Sequence, residues 1–508
     1  MAGKQPANRA AITLCVIFAT LMQALDTTIA NVALPHIQGS VSASQEQIAW
    51  VLTSYIVAAA IMTLPTGFLA ARFGQKNLFL VSVAGFTVAS MLCGLAQSSV
   101  QIVLFRIMQG AFGAALVPLS QSVLMEINPP ERRGSAMAMF GMAVMIGPVL
   151  GPVLGGWLTD NYSWRWCFYV NLPVGAAAFL GMTVFLPDSE RKPGEKLDWF
   201  GFGTLSIAIT ALQVLLDRGE QKDWFGSGEI WIEASVAACA FYLFLAHTFT
   251  TGRPFVRPGL FRDRNFLAGT LFITIVGLTY YSSLALQPPY LQSLMNYSVV
   301  AAGIVMGPRG VGTMIVMLVV GRLVGRVDTR VLLGIGLGLT AWSFYAMTGW
   351  TPDVSQRAIV IVSVVQGVGL GFLFVPLTTE SLSTLPPDQR TEAAGLYNLS
   401  RNIGSSVGIS VVNALLTRNT QINHAEIVAH VSAVNRAFEH PTVAQFLDPV
   451  SAAGRAALDA LITGQAQIIA YIDDYKLLMI ATLAALPLVL IFQKPSTSNG
   501  TSHVVAME

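Results

Sequence analysis

Two residues of opposite charge stand inside long apolar runs. Asp26 lies in Leu25-Asp26-Thr27-Thr28-Ile29-Ala30-Asn31-Val32-Ala33-Leu34-Pro35, and Arg106 opens Arg106-Ile107-Met108-Gln109-Gly110. Each run is about as long as the 20 or so residues that cross a bilayer. A charge near the bilayer centre costs about 2.5–3.5 kcal/mol even on a lenient insertion scale. Asp26 sits nine residues before the end of its run. Arg106 sits six or seven residues into its own, which runs the opposite way, so the two share a depth. Charges at one depth face each other or an aqueous cavity. The chemistry this pairing offers is a proton site: a carboxylate drawn toward its ionised form by a cation and toward its neutral form by desolvation. The competing reading is a static structural pair.

Other candidates are less specific. Gly147, Gly151 and Gly155 recur at i, i+4, i+8, a stripe that permits close helix approach. Pro148 and Pro152 each remove a backbone hydrogen bond and can kink the helix. Together with Gly141 they suggest a seal between moving parts; ordinary tight packing is the alternative. Glu380 and Arg401 lie on neighbouring antiparallel runs and can pair, or act in gating or substrate contact. Tyr55, Tyr280, Tyr281, Phe372 and Phe374 are candidates to line a cavity or simply to pack. Arg309, beside Gly307-Pro308, receives no role. Gly404-Ser405-Ser406-Val407-Gly408 matches a nucleophile-elbow pattern, but it lies in the middle of an apolar run and lacks the strand-to-helix turn that the pattern needs. Cys15, Cys93, Cys167 and Cys239 stand singly in apolar runs, so buried thiols are expected, with neither a disulfide framework nor a metal site.

The elements that must position these residues follow from composition. Of 508 residues 54 % are apolar and 11 % charged, against about 25 % charged in a soluble domain. The mean hydropathy is +0.61. Soluble enzymes, disordered chains and secreted disulfide scaffolds are excluded, and no Lys/Arg cluster is dense enough for a nucleic-acid reader. A 20-residue window gives fourteen spans: 11–35, 48–70, 77–97, 100–125, 135–158, 166–186, 198–216, 229–249, 266–289, 298–320, 330–349, 356–381, 392–417 and 474–493. The run from 198 is the weakest, being short and carrying Gln213. With the N-terminus inside, 18 Lys/Arg fall in cytoplasmic segments, 8 in outer segments and 3 within spans. That bias expects both termini in the cytoplasm. The outer segment 418–473 is too long for an ordinary connection and is expected to form a small helical extracytoplasmic element.

The chain also repeats itself at an offset near 255. Gly67, Leu69 and Arg72 return as Gly321, Leu323 and Arg326. Gln109-Gly110 returns as Gln366-Gly367, and Gly147 and Gly151 return as Gly404 and Gly408. Arg106 aligns with Ser363, and Asp26 has no acidic counterpart near Ser283. Two halves of like fold and orientation are expected, with the Asp26 and Arg106 charges lacking counterparts in the second.

These residues carry a resemblance. Gly67-Phe68-Leu69-Ala70-Ala71-Arg72-Phe73-Gly74-Gln75-Lys76 resembles the loop motif between spans 2 and 3 of the major facilitator superfamily. Arg106 to Gly110 is similar to its span-4 motif, and Gly147 to Gly156 to its span-5 antiporter motif. Trp164-Arg165-Trp166-Cys167-Phe168-Tyr169-Val170-Asn171-Leu172-Pro173-Val174-Gly175 resembles the signature of the fourteen-span drug:proton antiporters. Leu216-Asp217-Arg218-Gly219 and the long last outer segment are similar to EmrB-type multidrug pumps. Asn398 and Arg401 fall within the resemblance; Glu380 does not. Ala71 departs from it, standing where the loop motif carries an Asp.

The resemblance implies an all-α polytopic membrane protein: two parallel six-helix bundles, residues 1–187 and 265–508, with two inserted spans in 188–264. It implies a proton-driven multidrug efflux transporter working by alternating access, with the proton gradient as energy source and no cofactor, and not an enzyme. Asp26 and Arg106 would couple protons, and Gly147, Pro148, Gly151, Pro152 and Gly155 would gate. Gly67, Arg72 and Gly74 would form the cytoplasmic loop motif. Asn31, Gln109, Tyr280, Tyr281, Phe374, Glu380, Asn398 and Arg401 would serve as substrate or gating contacts. The implied setting is a bacterial inner membrane, with amphipathic drugs, a periplasmic EmrA-type membrane-fusion protein and an outer-membrane channel as partners. Export of one metabolite or lipid is the first alternative; a membrane enzyme or sensor is the remote one.

Overall fold

The computed structural model describes residues 8–189, 196–431, 447 and 451–492. Its first half comprises α1 (Arg9–Ser40), α2 (Gln45–Thr63), α3 (Thr66–Phe73), α4 (Gln75–Leu95), α5 (Ser99–Gly113), α6 (Leu116–Ile127), α7 (Pro130–Asn161), α8 (Trp166–Tyr169) and α9 (Asn171–Phe185). Two helices follow, α10 (Trp199–Arg218) and α11 (Gly228–Thr250). The second half comprises α12 (Arg264–Pro289), α13 (Val299–Leu323), α14 (Thr329–Met347), α15 (Gln356–Ser383), α16 (Arg390–His430), α17 (Ala452–Ala484) and α18 (Leu486–Val489). Among the described residues ten helices are long and apolar enough to cross a membrane, or eleven if the pair Trp50–Thr63 and Thr66–Phe73, bent by 55°, forms one span.

Short polar side chains start many of these helices. Ser44 and Gln47 form a reciprocal capping box on α2, and Ser98, Ser227, Asp263, Ser298, Ser355 and Ser451 each accept a bond from a first-turn amide. Pro130 occupies the first turn of α7, where its missing N–H costs nothing. Gly74 and Gly325 turn the chain at corresponding places in the two halves with φ of 89° and 85°, a conformation that side chains with a Cβ rarely adopt.

The halves share one apolar core at the end that carries Gly67 and Gly321. Ser122 bonds Thr391 at 2.8 Å, and Asn398 donates to Gln121 at 2.6 Å. A Cβ at Gly67 would stand 2.7 Å from the Glu392 side chain, and one at Gly134 would stand 2.6 Å from the Gly321 carbonyl. Nearer the middle, Phe140 stacks on Phe374 at 6.3 Å, and Tyr280 reaches the Met145 sulfur at 3.8 Å. Toward the other end the core divides. Leu25, Ile29, Val51 and Phe168 form one cluster within the first half, while Tyr290, Trp350, Tyr471 and Tyr475 belong to another within the second.

The helix α10 lies against both halves. Thr53 of α2 donates to Asp217 at 2.6 Å, while Ser406 and Ser410 of α16 donate to Gln213 and to the Leu216 carbonyl at 2.9 and 2.7 Å. The buried Gln213 that weakens this run as a span is thereby satisfied.

The segment expected as a small helical extracytoplasmic element is helical in its described part, where it prolongs two long helices. α16 continues to His430 and α17 begins at Ala452, and His424 bonds Asp459 between them at 2.9 Å. Positions 432–446 and 448–450 of that segment lie outside the described residues. Cys15, Cys93 and Cys167 are buried as expected, but Cys239 is exposed on the face of α11 that no other helix covers.

Candidate functional site

Asp26 and Arg106 meet. Both side chains are 1 % exposed, and Arg106 Nη1 donates to Asp26 Oδ2 at 2.7 Å. Gln109 lies one turn along α5 from Arg106, so the i, i+3 spacing puts both on one face. Its Nε2 donates to Asp26 Oδ1 at 2.7 Å, and its Oε1 accepts from Arg106 Nη1 at 2.8 Å. Asn171, at the start of α9, donates to Asp26 Oδ1 at 2.9 Å and to Ser90 at 3.0 Å. Arg106 Nε also donates to the Val51 carbonyl at 3.1 Å, and its guanidinium lies 4.1 Å from the Tyr55 ring centroid.

The carboxylate thus accepts three hydrogen bonds: Asp26, Arg106 and Gln109 close a ring of three side chains, and Asn171 joins that ring to Ser90. An ionised carboxylate only accepts, and a protonated one must donate through one oxygen. Every neighbour facing Asp26 is a donor. A proton on Asp26 therefore opens the ring at one bond at least and leaves the Arg106 charge without its counter-ion. Asn171 was not among the candidates, although it stands in the Trp164–Gly175 run as a lone amide between apolar residues. Gln109, expected as a substrate or gating contact, belongs to this ring.

The structure corrects several expectations. Asn31 is exposed and takes no part in the ring. Thr27 bonds the Ala24 carbonyl and Thr28 the Gly147 carbonyl, so neither hydroxyl serves Asp26. The Gly147, Gly151, Gly155 stripe faces α1 of the same half. A Cβ at Gly147 would lie 2.3 Å from the Ala24 carbonyl, one at Gly151 2.0 Å from Thr28 Oγ1, and one at Gly155 3.3 Å from the Ile29 carbonyl. The stripe is therefore no seam between halves. That role on α7 falls to Gly134, Ala138 and Gly141, which abut Gly321, Met317 and Phe374. Pro148 and Pro152 lie inside α7, whose helix runs through both.

Glu380 and Arg401 do not pair. Glu380 accepts from Thr329 at 3.1 Å and from Ser383 at 3.4 Å, while Arg401 Nε and Nη1 have no hydrogen-bond partner. Tyr280 and Phe374 are buried at the junction of the halves, with Tyr281 edge-on to Tyr280 at 5.4 Å. Arg72 is exposed and lies against the Phe68 and Phe73 rings. Ala71 borders a cleft of about 770 Å³ shared with Glu126, Arg133 and Asp388.

A family description, Major Facilitator Superfamily, matches residues 16–409. The Multidrug export protein EmrB of Escherichia coli strain K12 is 37 % identical over 427 residues, 84 % of this chain and 83 % of that one. The Fatty acid resistance protein FarB of Neisseria gonorrhoeae is 35 % identical over 498 residues, 97 % of each chain. Among solved structures, the human organic anion transporter MFSD10 superposes with a TM-score of 0.58 at 15 % identity, covering 94 % of this chain and all of that one. This last likeness concerns the fold.

Proposed function

The chain belongs to the major facilitator superfamily, and from that premise we propose that it exports amphipathic drugs across a bacterial inner membrane in exchange for protons. The observation that carries the reading is the closed ring around Asp26. A carboxylate buried at mid-span and surrounded only by donors is a group whose protonation must rearrange its neighbours. Such a rearrangement biases a two-state packing, which alternating access requires. The relatives' names, multidrug export and fatty acid resistance, favour amphipathic substrates.

In this reading the chain has fourteen spans. The helices α7, α16 and α17, each more than 30 residues long, complete the set. Residues 1–187 and 265–508 are the two bundles, 188–264 is the insertion, and both termini are cytoplasmic. The shared core at the Gly67 end is then a closed cytoplasmic side, and the divided clusters face outward. An EmrA-type periplasmic partner and an outer-membrane channel would receive the drug, with the prolonged α16 and α17 as the docking arm.

The test is efflux of a fluorescent amphipathic dye from cells expressing the chain, with and without a protonophore. Dye accumulation that rises with the protonophore supports exchange. Efflux indifferent to the protonophore removes proton coupling, and inhibition by one metabolite alone would favour a dedicated exporter.

A further inference from the structure

The second half contains a buried cation that nothing in the coupling ring explains. Arg309, in the middle of α13, is 3 % exposed. Its Nη2 donates to Gln287 at 2.5 Å and to Ser283 at 3.4 Å, while its Nε and Nη1 have no partner. Among the described residues it forms no ion pair. Asp474, buried in α17, has neither oxygen bonded, and it is not paired with Arg309. The guanidinium lies 5.7 Å from the Tyr280 ring centroid, and Tyr280 in turn touches Met145 across the junction of the halves. Two more buried groups with no partner, the hydroxyls of Ser363 and Tyr475, belong to the helices α15 and α17 that pack with α12 and α13.

The internal repeat makes the contrast sharp. Gln109 donates to Asp26 in the first half; its counterpart Gln366 donates to Ser283 at 3.0 Å in the second. Where the first half has an acid and a cation, the second has Ser283 and Ser363, and its cation arrives from another helix with no acid to meet it. An ion desolvated without a counter-ion is strongly disfavoured. The unbonded Nε and Nη1 lie on different edges of the guanidinium, each beside the Nη2 that serves Gln287 and Ser283, so each edge offers an anionic oxygen one charge-assisted bond.

We propose that Arg309, with Gln287 and Ser283 beside it, is the head-group site for exported amphiphiles, and that the preferred substrates carry a carboxylate. Tyr280 stands between this site and the junction of the halves, so parting the halves releases its contact with Met145 and uncovers the guanidinium. This deepens the export reading and names the substrate class. It is tested by binding without a gradient, so a failure of proton coupling would leave it standing.

The full chain in phosphatidylcholine nanodiscs is titrated with dodecanoate, dodecanol and dodecyltrimethylammonium. The wild type should bind dodecanoate about tenfold more tightly than either, the equivalent of one good charge-assisted contact. Arg309→Gln should abolish that preference and leave dodecanol unchanged, and Arg309→Lys should keep part of it. Equal binding of the three probes, or preference for the cation, by the wild type overturns the proposal whatever the variants do. Full preference in Arg309→Gln, or in Arg309→Lys should the first variant not fold, moves the site elsewhere and overturns it as well. Displacement of dodecanoate by phosphatidylglycerol at equal concentration would make this a lipid site and reject the substrate assignment.

Discussion

Asp26→Asn keeps the side chain's size and removes its charge. The amide offers one acceptor oxygen and one NH2 where the carboxylate offers two acceptors. Turned for least conflict, its oxygen keeps the bonds from Gln109 and Asn171, at 2.7 and 2.9 Å in the wild type. The NH2 then faces Arg106, whose 2.7 Å ion pair is lost. Breaking a buried pair costs about 3–5 kcal/mol. Arg106 retains Gln109 Oε1, the Val51 carbonyl and the Tyr55 ring, and the ring contact alone is worth about 2 kcal/mol for a desolvated cation. The loss should therefore lie near the lower end, about 3 kcal/mol, which leaves the protein folded. Unfolding in graded detergent mixtures reads the stability. Uptake of drug into inverted vesicles driven by a pH gradient should disappear, while drug binding persists. Gradient-driven uptake at the wild-type rate would remove Asp26 as the proton carrier. A stability loss below about 1 kcal/mol would show that the ring is not held by charge.

Three further outcomes follow from the packing. Gly151→Ala and Gly147→Ala should each destabilise the first half by about 1–3 kcal/mol, because the added carbon meets Thr28 or the α1 backbone; Gly155→Ala, with contacts near 3.4 Å, should be tolerated in the same unfolding assay. Ala71→Asp places a carboxylate in a cleft that Arg133 of the same half and Asp388 of the second half also line. A bond to Arg133 would tie the first half to itself, for up to about 1 kcal/mol, so spin-label distances between the halves should not shorten; a shift toward the state closed on that side counts against it. Replacing 422–458 by a short Gly/Ser link should preserve transport in liposomes yet abolish resistance in cells. The cut stops before Tyr471 and Tyr475, which pack on Tyr290 and Trp350, and unchanged resistance would rule out docking by this arm.

The pairing of Asp26 with Arg106 was legible because a charge in a long apolar run has few places to go. Depth along two antiparallel runs was enough to bring them together. Asn171 escaped because an uncharged amide carries no comparable penalty and so no comparable signal. The glycine stripe declared a close approach without saying to what. Its partner is α1, and no periodicity within α7 encodes that choice. Glu380 and Arg401 do not share a depth, for Glu380 stands near the end of α15 while Arg401 stands some three turns into α16, and approximate run boundaries hid that difference. The fold was readable from hydropathy and from the repeat, whereas the break at Pro65 and the continuation of α16 past the expected boundary depend on local packing and on polar residues that still favour a helix.

The seam along α10 has a consequence for how molecules leave the bilayer. One helix hydrogen-bonded to α2 on one side and to α16 on the other is a wall across that flank. Two bodies rocking against each other ordinarily open a slot to the lipid on both flanks in turn. Here one slot is boarded over. A hydrophobic solute dissolved in the membrane must enter by the opposite flank, between α7 and α13, where the contact is built of glycine, alanine and a stacked pair of phenylalanines. Traffic through the protein is thus one-sided in the plane of the membrane as well as across it.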